Sequence, residues 1–190
     1  AGAGAGALKE ATSGCVTVLE LTITGECDDS AHKALDDDES YNLSIPSDGT
    51  TASASAHTIW GALYAMETFS QLPSHSLTIE GLPLVIQDAP RYPWRGLLLD
   101  TANHYLSMAH IERTIDGLAA TKMNVLHWHI VDSYSFPFVS DTFPEISEAG
   151  AWGAPGEKLV YSPRDVAHIV SYANARGVRA VVEVDMPGHG

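Results

Sequence analysis

The chain has 190 residues, a formal charge of −14, 45% hydrophobic residues and 18% charged residues. That composition excludes global disorder, and the absence of a run of about 18 apolar residues excludes a transmembrane helix. The acidic balance argues against nucleic acid, whose phosphates need clustered Lys and Arg, and suits an acidic compartment where carboxylates partly protonate.

Residues 1–14 read as a linker or poorly determined segment; AGAGAGA at their start has neither a core pattern nor the basic flank of a secretory signal. Between Cys15 and Cys27 runs VTVLELTIT, an alternating strand. At ~3.3 Å per residue it spans roughly 30 Å. A disulfide needs Cα atoms within about 7 Å, so these cysteines pair with each other only if the strand folds back, and cysteines elsewhere are alternative partners. The acidic stretch Asp28 to Glu39 reads as a solvated loop, since it lacks the Asp-x-Asp-x-Asp-Gly order of a Ca²⁺ loop. Tyr41, Leu43 and Ile45 alternate as a second strand, and Asn42-Leu43-Ser44 within it is a sequon for N-glycosylation. Thr58 caps a helix through Gln71, with Ile59, Leu63, Met66 and Phe69 on one face. Leu77 to Ile79 and Leu84 to Ile86 are short strands, and His57 and His75 read as surface or loop residues. Residues 15–88 thus form a small α+β domain without a site of its own.

Pro90 and Pro93 mark a stiff connector, after which the pattern becomes β-α-β-α-β. Gly96 to Leu99 is continuously apolar, the signature of a parallel strand buried on both faces. Ser107 caps a helix with Met108, Ile111, Ile115 and Leu118 in one stripe. Val125 to Val131 is the next strand, followed by a long loop to Tyr161. Ser162-Pro163-Arg164-Asp165 starts a helix carrying Val166, Ile169, Val170 and Ala173 inward, and Gly177 stops it. Val178 to Val184 is the third strand. The fold class is α/β: three parallel strands, forming either a small open sheet or the opening β/α units of an eight-stranded barrel, with the barrel favoured because polar groups sit at the end of the third strand.

Those polar groups cluster where parallel α/β proteins bind ligands, at the carboxyl ends of strands. Asp100 closes the first strand, His127, His129 and Asp132 mark the second, and Asp185 and His189 the third. Arg95 opens its strand, either as a salt bridge at the sheet edge or as a fork gripping sugar hydroxyls. His127 and His129, two apart on a strand, share a face. That pair permits a metal site completed by Asp132, Asp185 or His189, as in metal-dependent barrel hydrolases, or two histidines bonded to their surroundings. Trp128 points to the opposite face.

Three ordered motifs carry a resemblance: Trp94-Arg95-Gly96-Leu97-Leu98-Leu99-Asp100-Thr101, the His127 to Asp132 run with Ser135-Phe136-Pro137, and Glu183-Val184-Asp185-Met186-Pro187-Gly188-His189. They resemble family 20 β-N-acetylhexosaminidases, as does Lys122 to Leu126. Thr58 to Leu63 with Glu67 to Leu72 resembles the helix of that family's small, zincin-like preceding domain.

The resemblance implies that residues 89–190 are the first part of a TIM-barrel catalytic domain, truncated after its third strand. It implies removal of terminal β-linked GlcNAc or GalNAc from a glycan, without cofactor, metal, nucleic acid or membrane. The retaining mechanism is substrate-assisted: the acetamido oxygen attacks the anomeric carbon, an aspartate orients it and a glutamate protonates the leaving oxygen. That Asp-Glu pair is expected beyond Gly190, leaving no catalytic residue in this chain and the fragment inactive. Asp132 and His189 then hold and tune the acid, Asp185 stands beside them, His129 buttresses the site, and Arg95 binds sugar hydroxyls. Ser133-Tyr134 stands where Asp-Gln is common, Gly190 where Thr or Ser is usual, and Asn103 where Arg is common; the last two read as peripheral. The alternatives are the metal-dependent hydrolase and a non-catalytic sugar-binding subunit. The family often forms dimers, and a secreted, vacuolar or lysosomal setting is expected.

Overall fold

The computed structural model describes residues 12–14, 16–26, 32–76 and 78–188. Cys15, Cys27 and His189, with the cysteine pairing and the acid-holding role read for them, lie outside the described residues. Two compact units are present. One holds the described residues of Ala1–Asp29 with Asp37–Arg91, the other those of Ser30–Asp36 with Tyr92–Gly190.

In the first unit, β1 (Thr12–Gly14) pairs antiparallel with β5 (Ile79–Leu82), so the end of the stretch read as a linker over residues 1–14 is instead a strand of this domain. A four-stranded sheet runs β2 (Val18–Ile23), β4 (Thr51–Ala56), β3 (Tyr41–Ile45), β6 (Leu84–Asp88), with β2 and β4 parallel and the other pairs antiparallel. Helix α1 (Ile59–Gln71) covers one face, capped by Thr58 Oγ1, which accepts from Gly61 N at 3.2 Å. The core joins Tyr41, Leu43, Ala54 and Ala56 to Ala62, Tyr64 and Ala65. Asn42 alternates outward from that core and is exposed.

Two expectations need correction here. The buried residues of α1 are Trp60, Gly61, Ala62, Tyr64 and Ala65; of the Ile59, Leu63, Met66, Phe69 face, Phe69 packs against the core while Met66 is 46% exposed. Small residues win because they let the helix approach closely: a Cβ on Gly61 would lie inside van der Waals contact of the Ser40 carbonyl oxygen and 3.0 Å from Ala56 Cβ. Alanine there gains about 1 kcal/mol of helix propensity. The backbone clash costs about 1–3 kcal/mol and outweighs it. Gly61→Ala should therefore lower the unfolding midpoint in urea; a raised midpoint would contradict this packing. The second correction is β4, which lies where no strand is expected from the sequence, between Ile45 and the helix capped by Thr58. Its Ala52, Ala54 and Ala56 are buried nevertheless.

In the second unit β7 (Gly96–Asp100), β8 (Val125–His129) and β9 (Arg179–Glu183) form a parallel sheet with β8 central. Helices α2 (Met108–Ala120) and α4 (Pro163–Asn174) pack together, Ile111, Ile115 and Leu118 meeting Ile169 and Ala173 in one core with Leu126, Trp128 and Ile130. A capping box opens α4: Ser162 Oγ accepts from Asp165 N at 3.2 Å, and Asp165 Oδ2 accepts from Ser162 N at 2.8 Å. The long loop contains a further short helix, α3 (Pro144–Gly150). β7 departs from the two-face burial expected of it, with Leu97 43% and Leu98 52% exposed, because it is an edge strand among the described residues. This is a mixed α/β fold, and its parallel sheet directs three strand ends to one edge.

Candidate functional site

The register of the parallel sheet builds the site. Asp100, His129 and Glu183 are direct neighbours across β7, β8 and β9, at the last position of each strand. Trp128, between the two histidines, faces the helices: it is fully buried, donates from Nε1 to Thr101 Oγ1 at 2.7 Å, and meets the Tyr161 ring edge-on at 5.1 Å. That anchorage turns His127 and His129 to the other face.

There the side chains form one connected network. His127 Nε2 is hydrogen-bonded to Glu183 Oε2, and His129 Nδ1 lies 3.4 Å from the same oxygen. His129 Nε2 is 3.3 Å from Asp132 Oδ2, which also accepts from Asn103 Nδ2 at 3.1 Å. Asn103 Nδ2 donates as well to Asp100 Oδ2 at 2.7 Å. Asp132 is held by its own turn: its backbone exchanges hydrogen bonds with Ser135, and its Oδ1 accepts from Ser133 N at 2.6 Å.

The electrostatics follow from these partners. Burial acts to lower the His129 pKa, but Asp132 and Glu183, with Asp100 behind them, carry it above the ordinary histidine value. Burial acts to raise the Glu183 pKa, while side-chain hydrogen bonding with His127 and Asp185 and the charges of both histidines hold it below the usual carboxylate value. A raised histidine pKa means that the pairing stabilises the fold fully below about 6.5, and that this stabilisation is lost as pH rises through the folded value. In a ring-proton NMR titration, His129 should titrate above 6.5 and Asp132→Asn should bring it down. A midpoint unmoved by that substitution would remove Asp132 as its partner.

The structure thus brings together His127, His129, Asp132 and Asp100, and adds Glu183, which sequence reasoning had treated only as the start of a motif. His129, Glu183 and Asp185 offer ligand atoms within 4.8 Å of one another, a set that a divalent cation could accept. Asn103, read as peripheral, stands at the centre of the network instead. Arg95 is not part of it. Its Nε donates to Lys122 O at 2.8 Å and its Nη1 to Tyr92 O at 2.7 Å, at the opposite end of β7. About 16 Å of strand, five residues at ~3.3 Å each, separates it from Asp100. The expected sugar-gripping role does not fit that place, because the guanidinium braces the sheet's amino edge.

A parallel α/β sheet with its polar groups at the carboxyl edge defines the class of protein that binds its ligand there. The sequence model described as "Glycosyl hydrolase family 20, catalytic domain" matches residues 92–190, and that described as "beta-acetyl hexosaminidase like" matches residues 7–72. The chain belongs to glycosyl hydrolase family 20. It is 42% identical over 176 residues to beta-hexosaminidase subunit beta of Homo sapiens, covering 90% of this chain and 30% of that protein. Against beta-hexosaminidase subunit alpha of Bos taurus it is 42% identical over 185 residues, 95% of this chain and 34% of that one. A chitobiase of Flavobacterium johnsoniae superposes with a TM-score of 0.75 at 34% identity, over 90% of this chain and 24% of that chain. The family 20 β-N-acetylhexosaminidase of Streptomyces coelicolor A3(2) gives 0.71 at 27% identity, over 90% and 35%. This chain therefore spans about a third of the length of the curated relatives it matches.

Proposed function

We propose that this chain is part of an exo-acting β-N-acetylhexosaminidase that hydrolyses terminal β-linked GlcNAc or GalNAc with retention, assisted by the substrate's acetamido group. Residues 12–88, apart from 30–36, are its small α+β domain and 89–190 the first β/α units of its eight-stranded catalytic barrel. The observation that carries the reading is the network at the carboxyl edge. It is mutually satisfied and offers supports for an acid rather than an acid: Asp132 is tied to His129 and Asn103, and Glu183 is held below the carboxylate range. A general acid needs a raised pKa, which Glu183 lacks, and membership of family 20 assigns the donor to a glutamate outside residues 1–190. Asp132 and His189 hold that acid, Asp185 stands beside Glu183, and His129 buttresses them. The charge of −14 and the raised His129 pKa suit an acidic setting, secreted, vacuolar or lysosomal. The exposed Asn42 is its candidate glycan acceptor, tested by a mobility shift that Asn42→Gln abolishes. The enzyme works as a homodimer, which equilibrium sedimentation tests; a monomer would overturn that point.

The reaction is tested with the full-length protein on two nitrophenyl β-glycosides, the N-acetylglucosaminide and the glucoside. The acetamido group is the nucleophile, so only the first should release nitrophenol, with no loss on adding a chelator. Equal release from both would reject substrate assistance, and chelator-sensitive release would favour the metal-dependent alternative at His127, His129, Glu183 and Asp185.

A further inference from the structure

The turn after β7 is held unusually firmly for a loop. Asp100 Oδ1 accepts from the backbone N–H groups of Ala102 and Asn103, both at 3.0 Å. Thr101 N donates to His129 O at 3.0 Å, Thr101 Oγ1 receives the Trp128 indole, and Trp152 Nε1 donates to Ala102 O at 3.2 Å. Thr101 and Ala102 are fully buried. The backbone of residues 100–103 is therefore fixed without any help from the Asn103 side chain.

That side chain does something else. An amide nitrogen carries two protons on diverging directions, and Asn103 Nδ2 points one at each of two carboxylates, Asp100 Oδ2 at 2.7 Å and Asp132 Oδ2 at 3.1 Å. The two acids come from different strands and would repel each other if both were ionised without a donor between them. We propose that Asn103 is a positioning residue: its amide ties the Asp100 and Asp132 carboxylates together and fixes the Asp132 oxygens that serve the catalytic acid. This rests on the hexosaminidase reading above for what Asp132 serves, and on the geometry alone for the tie itself.

Charge makes the tie distinctive. An arginine or lysine at the same place would neutralise one carboxylate outright, whereas the amide donates without adding charge. Compensation of Asp132 by a cation then falls to the neighbouring His129, whose Nε2 shares Oδ2 with Asn103. The ionised state of Asp100 already reflects the arrangement. Burial acts to raise its pKa, yet the Asn103 side chain, the backbone N–H groups of Asn103 and Ala102, and the His129 charge hold it below the usual value. Without the amide, Asp132 loses a donor to its ionised form and faces Asp100 directly.

The test uses the full-length enzyme with Asn103→Ala and the isosteric Asn103→Asp, their folding checked by thermal unfolding. Removing the donor should move the acid limb of the kcat/KM profile up by about one pH unit, which is about tenfold in rate below both midpoints. Asn103→Asp adds a third carboxylate and should move it further, with KM changed less than about twofold in either variant. A raised KM with an unmoved limb would make Asn103 a substrate contact, and equal loss at every pH would make it merely structural; either overturns the proposal. Carboxyl ¹³C titration of Asp132 in the same proteins separates the tie from the reaction. If the wild type released no nitrophenol, the functional reading would fail, while an Asp132 midpoint raised in Asn103→Ala would still establish the tie and an unmoved one would refute it.

Discussion

Asp132→Ala in the full-length enzyme should lower kcat by roughly 10²–10⁴-fold, the range that positioned proton transfer contributes. KM should change little, because in the proposed enzyme Asp132 serves the acid rather than the sugar. The effect is electrostatic. An ionised carboxylate beside a glutamic acid disfavours ionisation of that acid and so keeps it protonated at working pH. Without Asp132 the acid's pKa falls, and the alkaline limb of kcat/KM moves to lower pH. The leaving group supplies the check. A nitrophenolate departs with little protonation, whereas a sugar alkoxide must be protonated as it leaves. The loss should be smaller on the nitrophenyl substrate than on an N-acetylglucosamine disaccharide. Equal losses on both would separate Asp132 from acid catalysis.

The second large effect is on stability. Trp128 is fully buried among Ile111, Ile169 and Tyr161, and its indole N–H is satisfied by the buried Thr101 hydroxyl. Trp128→Ala removes that packing, leaves the hydroxyl without its donor and opens a cavity between sheet and helices. Such truncations cost about 3–5 kcal/mol, a large fraction of the roughly 5–15 kcal/mol that holds a domain folded. Trp128→Phe keeps much of the volume and should cost well under that, so the two variants divide packing from the hydrogen bond. Urea unfolding followed by Tyr and remaining Trp fluorescence checks both. An alanine variant within 1 kcal/mol of wild type would mean that the sheet and helices do not depend on this side chain.

How legible these features were depended on the range of the forces behind them. Local signals read well. Ser162-Pro163-Arg164-Asp165 announced α4 and its capping box, and the two-residue spacing of His127 and His129 put both rings on one face. β4 was obscured because TASASA alternates correctly but with side chains too small to register as apolar. The stripe on α1 was misread for a related reason: volume decided which face packs, and Gly61 and Ala65 allow closer approach than Leu63 and Met66 do. The site needed information that no window holds. Glu183 joins the histidines only through the register of β8 with β9, more than fifty residues apart. Asn103 likewise joins Asp132 only once β7 lies beside β8. Arg95 shows the opposite failure, since a motif suggested a role that its end of the strand does not allow.

In the proposed enzyme these residues prepare a catalytic acid supplied by another part of the protein. That claim is tested most directly by nitrophenol release from the β-N-acetylglucosaminide, comparing purified residues 1–190 with the full-length protein at equal concentration. The account predicts robust turnover by the full-length protein and none by the 190-residue chain. Turnover by the chain alone would contradict it and would move the acid to one of Asp100, Asp132, Glu183 or Asp185.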